Sequence, residues 1–186
     1  MMPENRKNQD SNLNDLYQEV ILEHFKRPRY KQKINDCCYC MDGKNPSCGD
    51  SLMLYCQYNL TEKKMSFYFD GQGCSISQAS SSILCDMNHN VSFQEALLSI
   101  AKAKSYYLGT KKTSREDIEE DIEALSGVSQ FPVRVKCAAL PWKTLEILLE
   151  ENFTKTGEPR RGCDKNNYCA EKNTKKLRVV TTEDDS

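Results

Sequence analysis

Three of the ten cysteines stand apart by their neighbours. Cys48 lies in Asn45-Pro-Ser-Cys-Gly-Asp50, Cys74 in Gly71-Gln-Gly-Cys-Ser-Ile76, and Cys137 in Val135-Lys-Cys-Ala-Ala139. Gly49 lets the backbone turn sharply enough for Cys48 and Asp50 to face one point. Cys74 follows a glycine-rich turn and precedes Ser75, a good helix cap, while Cys137 precedes the last expected helix by a few residues. Both therefore fall near helix N-termini, whose partial positive charge favours a thiolate. Three thiolates with the carboxylate of Asp50 make a tetrahedral set suited to zinc, the harder aspartate being the more easily exchanged donor. Spacing by itself does not establish such a site. The three segments are 26 (74 − 48) and 63 (137 − 74) residues apart, unlike the local pairing of a zinc ribbon, and composition leaves open that all three are small buried side chains.

The elements that must position these residues show in the hydrophobic pattern. Leu13, Leu16, Tyr17, Val20, Ile21 and Phe25 recur at spacings of three and four, predicting an amphipathic helix that Pro28 ends. Residues 36–42, Ser51–Asn59 and Lys64–Asp70 read as strands, with short connections that favour an antiparallel meander. Helices are then expected over Ser75–Met87, Ser92–Tyr107 and Ser114–Leu125, the last carrying six acids, Glu116, Asp117, Glu119, Glu120, Asp121 and Glu123. A short extended piece, Phe131–Val135, leads to a final helix over Pro141–Asn152, with Pro141 in its first turn. The fold class is α+β, a small three-stranded antiparallel sheet packed with helices.

Composition narrows the function. With 26 Lys plus Arg against 27 Asp plus Glu, the formal net charge is −1, without the cationic surplus of a non-specific nucleic-acid binder or one that adheres to acidic membranes. No run approaches the roughly 18 apolar residues of a membrane helix. The first dozen residues, MMPENRKNQDSN, lack the apolar core of a secretory signal, so the expectation is a cytoplasmic protein with reduced thiols. Residues 1–12 are expected to form a disordered leader, 13–153 the folded domain, and 154–186, poor in apolar anchors, a disordered polar tail.

Four stretches, LYQEVILEHFKRPR, NPSCGD, DGQGCSISQASSS and FPVRVKCAALPW, together resemble the SufU branch of the iron-sulfur cluster assembly family that also contains IscU. The resemblance covers about residues 13–152. It implies the SufU/IscU-like fold with a zinc site at one end of the sheet, its ligands Cys48, Asp50, Cys74 and Cys137. It also implies a sulfur relay. A partner SufS-type, PLP-dependent cysteine desulfurase passes persulfide sulfur to Cys48, which a donor side chain frees by taking its place on the metal while Asp50 eases the exchange. The sulfur then moves on to a downstream cluster scaffold. Lys136 stands where an IscU-like scaffold usually has His, and Phe131-Pro-Val-Arg-Val135 replaces its LPPVK stretch. Both departures favour SufU over the alternative, an IscU-like scaffold binding iron or a transient iron-sulfur cluster.

The other candidates have plainer readings. Arg134 and Lys136 are either solvated surface or cations that favour the thiolates and engage the donor, and Arg134 is taken as a supporting cation. Cys37, Cys38 and Cys40 read as strand residues, Cys56 and Cys85 as core, Cys163 and Cys169 as free thiols of the tail, His24 as packing or capping, and His89 as a solvated loop residue. A zinc deaminase would carry an H-x-E with P-C-x-x-C signature, which is absent. A structural zinc module, the remaining alternative, has no need of an exchangeable aspartate.

Overall fold

Alternation of apolar residues builds the sheet, with one helix before it in the chain and the others after its third strand. A computed structural model describes residues 5–35, 37–111, 121–160 and 179–182, with side chains from Asp15 onward except that of Val179. Strands β1 (Tyr39–Asn45), β2 (Asp50–Asn59) and β3 (Lys64–Gln72) form an antiparallel meander. Its registers pair Leu54 with Phe69 and Cys56 with Phe67. All four are fully buried, in one hydrophobic cluster with the helix residues Leu84, Tyr106 and Trp142.

A fourth strand, β4 (Val179–Thr181), lies parallel to β1, giving the order β3-β2-β1-β4. The sheet is therefore four-stranded and mixed, not the three-stranded antiparallel sheet expected. An edge strand presents a row of unpaired backbone groups, and here a short piece of the chain's C-terminal segment pairs with it. Val180 is buried in the core. The segment after Phe153 also packs on the domain: Phe153 bridges Pro159, and Arg160 Nε donates to the Phe153 carbonyl at 2.8 Å. The boundary drawn at 153 thus does not end the packed structure, and the first helix starts at Asn5, inside the expected leader. Cys163 and Cys169 lie outside the described residues.

Helix α1 (Asn5–Lys26) ends before Pro28 as expected and packs on α2 (Ser75–Met87). Helix α3 (Phe93–Tyr107) starts at a capping box of Ser92 and Glu95. Of the expected acidic helix, residues 114–120 lie outside the description, while Asp121–Val128 is a 3-10 helix. Helix α4 runs from Pro132 to Asn152, nine residues (141 − 132) longer at its start than expected. Val133 and Val135 suggest an extended piece, but Pro132 suits a helix's first turn. Pro141 lies inside the helix and supplies no N–H for the Cys137 carbonyl four residues back.

His24 is buried and bonded to Ser82 Oγ and Asp121 Oδ2, each at 2.8 Å, so it ties α1 to α2 and to the 3-10 helix. His89 is exposed and stacks on Tyr30. Cys56 and Cys85 are core residues whose thiols are pushed up by burial. Cys38 stands in a disulfide, against the expectation of reduced thiols throughout. Among the described residues no helix is long and apolar enough to cross a membrane.

One hydroxyl joins α2 to α4 beside the proline. Ser80 Oγ donates to the Ala138 carbonyl at 2.7 Å and accepts from Trp142 Nε1 at 3.0 Å, all of it buried. Ser80→Ala strands a buried N–H and weakens the satisfaction of a buried carbonyl, so it should destabilise the fold by about 1–3 kcal/mol. Urea unfolding measures this, and an unchanged midpoint would contradict it.

Candidate metal centre

The hairpin between β1 and β2 creates one side of the site. Asn45 pairs with Asp50 across the ladder, leaving Pro46–Gly49 as the loop. The Cys48 amide donates to the Asn45 carbonyl at 3.2 Å, and Gly49 takes φ +68°, the left-handed region where a side chain is disfavoured. The loop lifts Cys48 into solvent and returns the chain to Asp50, which is only 2% exposed.

The turn after β3 supplies the second side. Since Ser51 pairs with Gln72, the chain leaves the sheet next to Asp50. Cys74, rather than the expected Ser75, is the N-cap of α2, its sulfur accepting from the Ser77 amide at 3.4 Å. The Cys74 amide donates to Asp50 Oδ1 at 2.8 Å, and its thiol lies 3.9 Å from Asp50 Oδ2. Gly73 makes this approach possible, because a Cβ there would sit 2.6 Å from Asp50 Oδ1.

Cys137 comes from inside α4, not from a segment ahead of a helix as expected, so helix-end stabilisation of a thiolate applies to Cys74 and not to Cys137. Its sulfur is buried and accepts from Asn45 Nδ2 at 3.3 Å, while the same Nδ2 donates to Asp50 Oδ2 at 3.2 Å. Donor atoms of Cys48, Asp50 and Cys137 lie within 4.8 Å of one another, and Cys74 joins through its contact with Asp50. The structure thus brings the four expected residues together. Arg134 is placed elsewhere, on the exposed first turn of α4 with its guanidinium 4.4 Å from the Phe131 ring; among the described residues no ion pair ties it to the thiols.

Burial, followed by hydrogen bonding with Cys48 and Asp50, pushes the Cys137 thiol well up from its ordinary range. Without a cation Cys137 therefore keeps a proton that a metal would displace. Three sulfurs and one carboxylate suit zinc, and the mostly thiolate set also suits iron. Two supporting residues escaped the sequence reading. Asn45 opens the NPSCGD motif, yet nothing in its spacing shows that its amide would serve two of the four donors. Gly73 was visible only as part of a glycine-rich turn.

The model of the NifU-like N-terminal domain family matches residues 16–138. A Bacillus subtilis protein described as the zinc-dependent sulfurtransferase SufU is 40% identical over 139 residues, 74% of this chain and 91% of the relative. The Streptococcus pyogenes iron-sulfur cluster assembly scaffold protein IscU is 35% identical over 142 residues, 76% of this chain and 87% of the relative. Among solved structures, a putative iron-sulfur cluster assembly scaffold protein for the SUF system from Fervidobacterium islandicum superposes with a TM-score of 0.62 at 36% identity, covering 73% of this chain and 97% of that one.

Two measurements test the centre. Reconstituted protein should bind about one zinc per chain, Cys137→Ser should nearly abolish binding, and Gly73→Ala, which displaces Asp50, should weaken it by about tenfold with the helical circular dichroism intact. Full zinc affinity in both variants would contradict the assignment. Because the donors must lose protons to bind, affinity should fall as pH is lowered from about 8 to about 6 in a competition titration; a flat profile would contradict that linkage.

Proposed function

The chain belongs to the family of NifU-like N-terminal domains, as an iron-sulfur cluster assembly protein of the SufU/IscU type, and on that premise we propose that it is a zinc-dependent sulfurtransferase of the SufU kind. Cys48, Asp50, Cys74 and Cys137 would hold the zinc, which when bound keeps its thiols deprotonated at neutral pH, where a free thiol is only a few per cent ionised.

What supports a transfer role is the unequal exposure of the thiols. Cys137 is buried and Cys74 half-buried, while Cys48 is exposed at a hairpin tip. A protein too large to enter the cluster can still reach Cys48. The donor is a SufS-type, PLP-dependent cysteine desulfurase presenting a persulfide. The Cys48 thiolate attacks the terminal sulfur, a new S–S bond forms at Cys48 Sγ, the donor's S–S bond breaks, and its electron pair leaves on the donor thiolate. No net oxidation occurs. A downstream cluster scaffold takes the sulfur by the same exchange.

Asp50 does not act as a nucleophile. It accepts hydrogen bonds from the Cys74 amide and the Asn45 side chain, which draw charge from the carboxylate and make it the weaker, exchangeable donor. Exposed Phe131 and Val133, with Arg134 stacked on Phe131, line the start of the helix that carries Cys137 and form an apolar, cationic surface for the donor.

Mixing the protein with a SufS-type desulfurase and cysteine should add one sulfur atom to the intact mass, mapped by peptide analysis to Cys48. Cys48→Ala should abolish uptake. Asp50→Ala should keep much of the zinc yet accept sulfur poorly, because with a neutral fourth donor the three thiolates bind more tightly. An IscU-like scaffold would instead show the visible absorption of a stable iron-sulfur chromophore, and a structural zinc module would take up no sulfur. Persulfide found on Cys74 or Cys137 but never on Cys48 would overturn the assignment.

A further inference from the structure

Thr182, far beyond the family-matched residues 16–138, reaches the metal centre. Pairing of β4 with β1 sets Thr181 opposite Lys44, and the Thr182 amide donates to the Lys44 carbonyl at 3.3 Å. The Thr182 side chain is thereby carried to Asn45, where its Oγ1 donates to Asn45 Oδ1 at 3.1 Å; Thr182 is 6% exposed and Asn45 fully buried.

The chemistry of the amide gives this contact its consequence. An ionised carboxylate only accepts hydrogen bonds, and a deprotonated thiolate likewise accepts. The nitrogen end of Asn45 must therefore face Asp50 and Cys137, as it does at 3.2 and 3.3 Å. The oxygen end must then point the other way and find a donor. Flipped, the amide would turn a lone pair on two anionic ligands and leave its N–H groups against the threonine. The hydroxyl of Thr182 is the donor that the correct orientation requires.

We infer that the C-terminal segment is part of the metal site: Thr182 is a positioning residue that locks the Asn45 amide so that one NH2 group holds both Asp50 and Cys137 in place. This rests on the reading of Cys48, Asp50, Cys74 and Cys137 as metal ligands. Groups that orient ligands in this way are typically worth about 10–100-fold in metal affinity. It also makes Thr182, in a tail expected from composition to be disordered, a contributor to the site.

The test uses the full chain with Thr182→Val, which removes the hydroxyl at nearly constant volume, and Thr182→Ser, which restores it. Zinc affinity is measured by competition with a chromogenic chelator, and ligand geometry by the visible ligand-field bands of the cobalt-substituted protein. Thr182→Val should bind zinc about tenfold more weakly with shifted cobalt bands, while Thr182→Ser should stay within about twofold of wild type with wild-type bands. Wild-type affinity and bands in Thr182→Val would overturn the inference alone, as would an equal loss in Thr182→Ser. Failure of the wild-type chain to bind zinc would overturn the metal reading and this inference with it.

Discussion

A buried carboxylate with no cation beside it must be satisfied by hydrogen-bond donors, and at Asp50 those donors come from separate parts of the chain. Oδ1 takes the backbone amide of Cys74 and Oδ2 takes the side chain of Asn45. Each bond fixes a different segment: one seats the N-terminus of α2, the other the end of β1. Because the Asn45 amide also meets Cys137, α4 is drawn into the same arrangement. The donor cluster is therefore assembled by bonds that do not depend on a metal. Such preorganisation matters because thiolates gathered without it would repel one another, and the ordering would have to come out of the energy of metal binding.

The sequence was most readable where local physical signals agree. Helix α2 occupies the expected Ser75–Met87, and α3 follows its cap at Ser92, because caps, glycines and helical periodicity all point to the same boundaries. Strands β2 and β3 were equally plain from alternation. Legibility failed where distant contacts decide. The first turns of α4 carry Val133 and Val135, which favour extended structure, and Pro141 imitates a helix start. Strand β4 is three residues long in a polar context, and only the open edge of β1 makes it a strand.

The site divides along the same line. Cys48, Asp50 and Cys74 sit in glycine-marked motifs that set them apart in the sequence, whereas Cys137 has neither a glycine nor a cap beside it. Asn45 and Thr182 could not be assigned roles that way, since an amide or hydroxyl supporting a ligand needs no characteristic spacing and is defined only by what it touches. The acidic and cationic candidates show the converse. Arg134 looked relevant by its closeness in sequence to Cys137, but its side chain leans back over the N-terminal turn of the helix and meets Phe131. Glu123 turns inward, buried and bonded to Tyr106.

Exposure then separates thiols that the sequence treats alike. Cys56 and Cys85 lie in the core, where desolvation pushes their thiols up and leaves them inert. Cys137 is equally buried but borders a carboxylate and two other sulfurs, so a cation entering the cluster is the natural means of ionising it. Cys48 shares that cluster while standing in solvent on a loop of four residues between Asn45 and Asp50. It has the electrostatic neighbourhood of a ligand and the access of a reactive thiol. The fold thus buries Asp50 and Cys137, half-buries Cys74, and carries Cys48 on the hairpin loop, where a large partner could reach it.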